Sequence, residues 1–385
     1  MSLLEFCQTD RQREVISLYE EHGASGAAKV LGINDTNVRK TVRRVKGIAA
    51  KRGHAPEFDM TKKAPEGYAI RGTSTLYDAD GKAKLQWVKT KVDADAQLAM
   101  MREVVEVMAE DVVRVEPMDA PEHTDSDLMA VYPIGDAHIG QLSWGRESGD
   151  DWDLHIAEQT LCGAFVRCVN TAPACDEAVI INLGDFYHRE NMEGTTQRSG
   201  HFLDTDGRFQ KMAAVGVKIM RSMIAAALER HKRVRVINVL GNHDETASIM
   251  LSVCLANAYE NEPRVTIDDS PSVFNYVEFG KVLIGAHHGH TAKAEKLAGV
   301  MAADMPEAWG RTKHRTWMTG HIHHASTKEY PGVYVESFAT LAAKDAYAAS
   351  GGWRSRRNTQ CIVFHKEFGE VERHTIDISM IGGVK

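Results

Sequence analysis

The 385-residue sequence contains no apolar run near the ~20 residues that a membrane-spanning helix needs. Cysteines are few: Cys7, Cys162, Cys168, Cys175, Cys254 and Cys361 are six in all, and none forms a C-x-x-C pair. That argues against a zinc ribbon and reads as reduced thiols in a cytosolic compartment. The start, MSLLEFCQTDRQRE, lacks the basic opening and apolar stretch of a secretory signal. No P-loop string and no internal repeat is visible. The expected location is therefore cytoplasmic, with no membrane partner.

Hydrophobic residues make up 43% and charged residues 26%, the balance of an ordinary globular protein. The length suggests two or three domains. Net charge is −7 and is unevenly spread. Residues 1–53 hold ten Lys/Arg against six Asp/Glu, which leaves −11 for the rest. A basic head on an acidic body fits a nucleic-acid-binding module joined to a metal-binding enzyme, although chance asymmetry gives the same numbers.

The head, residues 1–53, reads as helical. Residues 9–22 place Val15, Ile16, Leu18 and Tyr19 on one face, with Thr9 or Asp10 as cap. Ser25 is expected to cap a short helix carrying Ala27, Ala28, Val30 and Leu31, which Gly32 ends. Asp35 or Thr36 is expected to cap the next helix. There Val38, Val42, Val45 and Ile48 share one face, while Arg39, Lys40, Arg43 and Arg44 stand on the other. The segment resembles small helix-turn-helix modules, which implies DNA contact through those four basic residues. A solvated basic helix in a bundle remains the plain alternative.

Residues 54–128 read as a connector: a linker to residue 67, a β-hairpin over 71–92, an amphipathic helix over 93–110 and a second linker over 119–127. The turn Asp78-Ala79-Asp80-Gly81 is no calcium loop, because its twelfth position is Lys89 rather than an acid. From residue 129 to the end the pattern becomes apolar strands that stop in loops rich in Gly, His and Asp. The last segment reads as a hairpin closing the second of two sheets.

Five strings at strand ends carry the chemistry: AVYPIGDAHIG, AVIINLGDFYHREN, RVINVLGNHDE, KVLIGAHHGH and TWMTGHIHHAS. Divalent cations that activate water take oxygen and imidazole ligands. Asp136, His138 and His323 can hold one cation. Asn242, His288 and His321 can hold a second, and Asp185 can bridge. Glycines beside the ligands allow sharp turns and close approach. His155, His201, His231 and His314 read as core or surface groups, and His287 and His290 are left open.

In that order the strings D-x-H, G-D, G-N-H-D, H-G-H and G-H-x-H resemble the calcineurin-like metallophosphoesterases, over roughly residues 130–325. The resemblance implies an α/β fold, a two-sheet αββα metallophosphoesterase sandwich, here with a small all-α helix-turn-helix domain at the N-terminus. It implies two divalent ions, Mn2+ by preference, with Fe, Zn or Co also accepted, and in-line attack by a metal-bridged hydroxide. It assigns His243 to the leaving oxygen, with Asp244 either orienting it or lying on the surface. Phosphoprotein phosphatases of the family carry a second Asp where this chain has His188. The string GDFYHRE is similar to SbcD-type DNA repair nucleases, which moves the expectation from monoesters toward diesters and gives His188 a catalytic place.

Arg189 is a candidate phosphate contact or a surface ion pair. Arg354 and Arg356, in a Gly-Gly loop with Trp353, are candidate substrate contacts or part of a solvated loop. The reading preferred on these grounds is a two-metal phosphodiesterase acting as a DNA nuclease, exonuclease-like, with DNA as partner and any ATPase of SbcC type as a separate subunit. The small head suggests a phage-like origin. A nucleotide or cyclic-nucleotide phosphodiesterase is the first alternative. A DNA-binding regulator with a sensor or relic phosphoesterase domain is the second.

Overall fold

Thr9 opens the first helix, α1 (Asp10–Leu31), because its side-chain oxygen accepts the Gln12 amide at 3.2 Å. The computed structural model describes residues 2–52, 54–56, 68–77, 83–92, 114–192, 194–196 and 202–381. Within α1 the backbone breaks at Gly23, whose φ of 68° suits a residue without Cβ. The interruption therefore falls at Gly23 and not at Ser25. Gly32 ends the helix in the left-handed region, as expected. Asn34, rather than Asp35 or Thr36, caps α2 (Asp35–Lys51) by accepting the Thr36 amide at 2.9 Å. Asp35 instead pairs with Arg39 at 2.9 Å.

Val15, Ile16, Ala27, Ala28, Val38, Val42, Val45 and Ala49 form one small core with Phe6. Val30, expected on that inner face, is exposed. Arg39, Lys40, Arg43 and Arg44 are all exposed. The hairpin forms as β1 (Tyr68–Tyr77) and β2 (Ala83–Val92), antiparallel. The expected helix over 93–110 and most of the expected linker over 54–67 lie outside the described residues. The chain divides into two units, Met1–Glu103 and Val104–Lys385.

The second unit begins its sheet at β3 (Asp125–Ile134), inside the segment whose composition reads as linker. Asp125 is drawn into the sheet because its amide donates to the Ala174 carbonyl at 2.9 Å. There follow α3 (Gly145–Ser148), α4 (Leu154–Thr171), β4 (Cys175–Asn182), α5 (Phe209–Arg230), β5 (Arg233–Asn238), α6 (Glu245–Ala258) and β6 (Val265–Ile267). The second half adds β7 (Asn275–Phe279), β8 (Val282–Ala286), α7 (Ala294–Asp304), α8 (Pro306–Arg311) and β9 (His314–Thr319). Then come β10 (Ser326–Tyr330), β11 (Val333–Ser337), α9 (Ala346–Ser350), β12 (Asn358–His365) and β13 (Gly369–Asp377).

One sheet has the order β13-β12-β3-β4-β5-β6 and the other β10-β11-β9-β8-β7. The strands β3 to β6 run parallel, as do β8, β9 and β11. The terminal hairpin β12–β13 pairs with β3, so it extends the first sheet and does not close the second.

Strand alternation builds the layers. Met129, Val131, Val179, Ile181 and Ile237 meet Val277, Val282, Ile284 and Met318 between the two sheets. The intervening Ala130, Tyr132, Ala178, Ile180 and Val236 face α4, α5 and α6. On the outer side of the other sheet, Leu283 and Trp317 meet Leu297, Met301 and Ala308 of α7 and α8. Both faces of each sheet are thus covered, which explains the continuous apolar strands. The architecture is a two-sheet αββα sandwich, the fold expected from the motifs. Each fully buried Ile or Val contributes about 1.5–3 kcal/mol, and the sum holds the strand ends rigid.

His231 sits in the outer core with no exposure. Its Nδ1 accepts the Cys175 amide at 3.2 Å, so its Nε2 carries the proton toward the Tyr132 hydroxyl 2.6 Å away. Burial pushes this ring down to about 4. The unfolded value is about 6.5, so the unfolded chain binds the extra proton and stability falls with pH between those limits. Urea unfolding from pH 7 to pH 4 should show about 3 kcal/mol of loss from this group. His231→Gln should give a shallower slope.

Candidate metal centre

The ligand strings all fall at the carboxyl ends of strands. Asp136 and His138 follow β3, Asp185 follows β4, and Asn242 and His243 follow β5. His287 and His288 follow β8, and His321 and His323 follow β9. In an open sheet this is where loops converge. The backbone at these points is unusual. Among the described residues, the non-glycine residues with positive φ are Asp136 (32°), His138 (44°), Asp185 (51°), His321 (70°) and His323 (55°). Each is a candidate ligand. Such conformations cost about 1–3 kcal/mol apiece and persist only where surrounding packing imposes them.

The side chains gather in two groups that share one centre. In the first, Nε2 of His138 faces Nε2 of His323 at 3.1 Å, and Asp136 Oδ1 lies 3.4 Å from the latter. In the second, Nε2 of His288 lies 3.1 Å from both Asp185 Oδ2 and Asn242 Oδ1. His321 joins that second group. Asp136, His138, Asp185 and His288 are almost fully buried. Buried imidazole nitrogens that face one another and a carboxylate suit a shared cation, which would supply the missing charge. The donor set of Asp, His and Asn fits divalent first-row metals without selecting one.

The electrostatics agree with that use. Burial, reinforced by His323, holds His138 well below the usual histidine range. Burial, then His243, pushes His188 down to about 3, and burial also lowers His321. These rings keep their lone pairs. His288 goes the other way: burial opposes its charge, but Asp185 overrides this and raises it to about 9. Burial likewise opposes charge on Asp185, and the attraction of His288 holds it well below its ordinary value.

Behind the ligands lies a set of positioning contacts. The Nδ1 of His243 donates to the His188 carbonyl at 2.9 Å, which leaves its Nε2 to hold or release a proton. His188 packs against both His138 and His243, which also touch each other, and its Nδ1 lies 3.2 Å from Nδ1 of His138. With Nε2 of His138 as ligand atom, its Nδ1 carries the proton and donates it to His188. The Nδ1 of His288 donates to the Leu183 carbonyl at 2.8 Å, again leaving Nε2 for a cation.

Asp244 was expected either to orient His243 or to lie on the surface, and it does neither. It is fully buried. Its Oδ1 accepts the amides of Asp185 and Gly241 at 3.1 and 3.2 Å, and its Oδ2 accepts the Tyr187 amide and the Ser248 hydroxyl at 3.0 and 2.8 Å. Burial, then Asp185, pushes its carboxyl up to about 7. The only signal in the sequence was an Asp opening a helix with Ser four residues on. Gly241 is needed for close approach: a Cβ there would occupy the backbone nitrogen and Oδ1 of Asp185.

Other candidates lie outside the two ligand groups. Arg189 is nearly buried and donates from Nη2 to the Gly207 carbonyl at 2.7 Å, bracing the chain ahead of α5. His287 stacks on Phe274 at 4.8 Å, and burial lowers it to about 4. His290 has its ring 5.2 Å from that of His288. Arg354 and Arg356 are exposed beyond α9. His155 is exposed, His314 Nε2 donates to the Glu367 carbonyl at 3.0 Å, and His201 lies outside the described residues.

A cation bound to Nε2 of His288 displaces the proton that Asp185 holds there. Below pH about 9, metal binding should therefore release about one proton per chain from this ring and weaken roughly tenfold per pH unit. Calorimetry in buffers of different ionisation enthalpy measures this, and proton-neutral binding at pH 7 would contradict it. Asp244→Ala strips the acceptor from three buried amides, each costing about 1–3 kcal/mol. Denaturant unfolding should show a loss of roughly 3–5 kcal/mol or more.

No protein-family model and no curated protein matches this chain. Among solved structures it is similar to a conserved uncharacterized protein, a predicted phosphoesterase, from Streptococcus pneumoniae, with 11% identity over 66% of this chain and 91% of that one, TM-score 0.30. It is similar to Vps29 complexed with Zn2+ from Entamoeba histolytica, with 15% identity over 65% of this chain and 99% of that one, TM-score 0.29. An archaeal phosphodiesterase has 15% identity over 65% of this chain and 99% of that one, TM-score 0.34. At such scores the likeness carries no substrate with it, and the chemistry rests on this chain's own side chains.

Proposed function

We propose that this protein is a two-metal phosphodiesterase and that its substrate is DNA. The observation that carries the phosphodiesterase reading is the pair of ligand groups, Asp136/His138/His323 and Asp185/Asn242/His288/His321, with His243 beside them. Divalent cations held there lower the pKa of water and neutralise charge on phosphoryl oxygens.

The chain's own residues do the rest. His243, fixed through Nδ1 to the His188 carbonyl, presents Nε2 to protonate the leaving oxygen. His188 orients His138 and screens one side of the site. Asp244 keeps the loops after β4 and β5 in register, so Asp185 and His243 stay in place. The amide of His243 donates to Asp185 Oδ1 at 2.8 Å, which ties proton donor and ligand to one another.

DNA as substrate is supported by the exposed basic face of α2. Arg39, Lys40, Arg43 and Arg44 stand opposite a fully packed apolar face, the arrangement that meets phosphates.

End-labelled linear and circular DNA incubated with Mn2+ should be cut by the wild type and not by Asp185→Asn. Turnover of small diesters without DNA cleavage would move the substrate to nucleotides. His243→Ala should slow DNA cleavage by roughly 10²–10⁴-fold. It should slow a p-nitrophenyl diester less, because that leaving group needs no proton. Replacing Arg39, Lys40, Arg43 and Arg44 by Glu should weaken DNA binding. It should also flatten the log–log salt dependence by roughly 3–4. An unchanged slope would remove the head from DNA contact.

A further inference from the structure

Two short segments bordering the first ligand group expose aromatic rings. One runs on from His138 into α3, the other from Thr340 into α9. Both are anchored at the ligands: Thr340 Oγ1 donates to the Asp136 carbonyl at 2.7 Å, and Gln141 Nε2 donates to the Ala343 carbonyl at 2.7 Å. The two helices pack on one another. Asp345 is the N-cap of α9.

Within the second unit the exposed tryptophans are Trp144 (59%) and Trp353 (56%), and both are here. Tyr347 is 69% exposed, with its ring edge-on to Trp353 at 5.4 Å. Large rings left in water cost free energy, so a paired exposed set beside a reactive centre needs a ligand with flat faces.

The charges specify that ligand. Arg146 lies 5.2 Å over the Trp144 ring, and Arg354 follows Trp353 directly. Arg354 spends Nη1 and Nη2 contacts on the Ala349 and Trp353 carbonyls, which holds the guanidinium beside the rings. Asp150 and Asp151 are exposed, and each is engaged within the chain. Asp150 faces Arg357 at 3.5 Å and Lys344 at 4.0 Å, Asp151 accepts the Gly145 amide, and Asp345 accepts the Ala348 amide. Glu147 is exposed. Rings alternating with guanidinium groups match bases alternating with phosphates.

We infer that Trp144, Tyr347 and Trp353, with Arg146 and Arg354, form a stacking platform that holds an unpaired nucleic-acid strand beside the metal centre. Bases in a duplex are already stacked on one another, so only an unpaired strand can offer its faces to these rings. The inference rests on the phosphodiesterase reading for its orientation to the centre, and it names the strand state of the substrate. The sequence exposes Trp353 and the arginines as one loop. Trp144 and Arg146 lie some two hundred residues earlier, at the start of α3, and the fold packs α3 on α9.

The test uses the full chain in EDTA, so that no strand is cut. A thymidine oligonucleotide of about 12 residues carrying 5-iodouracil is photo-crosslinked, and adducts are mapped by peptide mass spectrometry. Adducts on Trp144, Tyr347 or Trp353 are expected. Trp144→Ala with Trp353→Ala should lose them and bind the oligonucleotide roughly tenfold or more weakly. Adducts confined to other surfaces overturn the platform. Metal-dependent hydrolysis of a p-nitrophenyl diester by the same wild-type preparation then leaves the phosphodiesterase reading standing. Its absence removes that reading as well.

Discussion

The carboxylate of Asp244 is shared among four donors from two loops. The amides of Asp185 and Tyr187 come from the loop after β4, and the Gly241 amide and Ser248 hydroxyl come from the loop and helix after β5. Neither loop is a regular element, and their buried amides have no strand or helix to bond with. One acceptor satisfies them together, and so sets the distance between Asp185 on one side and Asn242 and His243 on the other. The close approach at Gly241 is the steric half of the same constraint. The remainder of the centre is built outward from this junction.

Ligand geometry also depends on backbone that would not hold its shape alone. Five ligands sit in left-handed conformations. Asp and His tolerate this region better than branched residues do, and the choice of ligand types helps to make the turns accessible. The cost is offset by the sandwich beneath. The cores between the sheets and under the helices fix the strand ends from which the ligand turns start. Strain at the centre and close packing below it are therefore parts of one arrangement.

Charge is partitioned in the same economical way. Burial keeps the rings of His138, His188 and His321 neutral, which preserves their lone pairs. One buried pair, His288 with Asp185, carries opposite charges at 3.1 Å. A charge pair this deep is stable only while both partners remain, because each alone faces the full desolvation cost. A cation at Nε2 of His288 takes over the proton's role without a new buried charge being left unpaired. The centre thus accepts either a proton or a metal at the same atom, and the hydrogen bond from Nδ1 to Leu183 keeps the ring oriented in both cases.

Periodicity and local chemistry in the chain determined much of this. Apolar strands ending in Gly, Asp and His announced the candidate ligands, because ligand loops follow strand ends, and the resemblance carried by those strings implied the sandwich. The caps Thr9 and Gly32 and the hairpin over β1 and β2 were legible for the same local reason. Long-range hydrogen bonding decided the rest. Asp125 reads as linker by composition, yet joins β3 through the Ala174 carbonyl. The terminal hairpin chose the first sheet because its partner strand is β3, a matter of topology that no local pattern encodes. Asp244 reads as a partner of His243 or a surface carboxylate, and only the meeting of two loops turns it into a buried anchor. Trp144 is unremarkable in sequence, and only the packing of α3 on α9 brings its segment to the one that carries Tyr347 and Trp353. Local pattern specifies which groups can do chemistry. Which of them meet is set by contacts between residues far apart in the chain, and those exist only once it has folded.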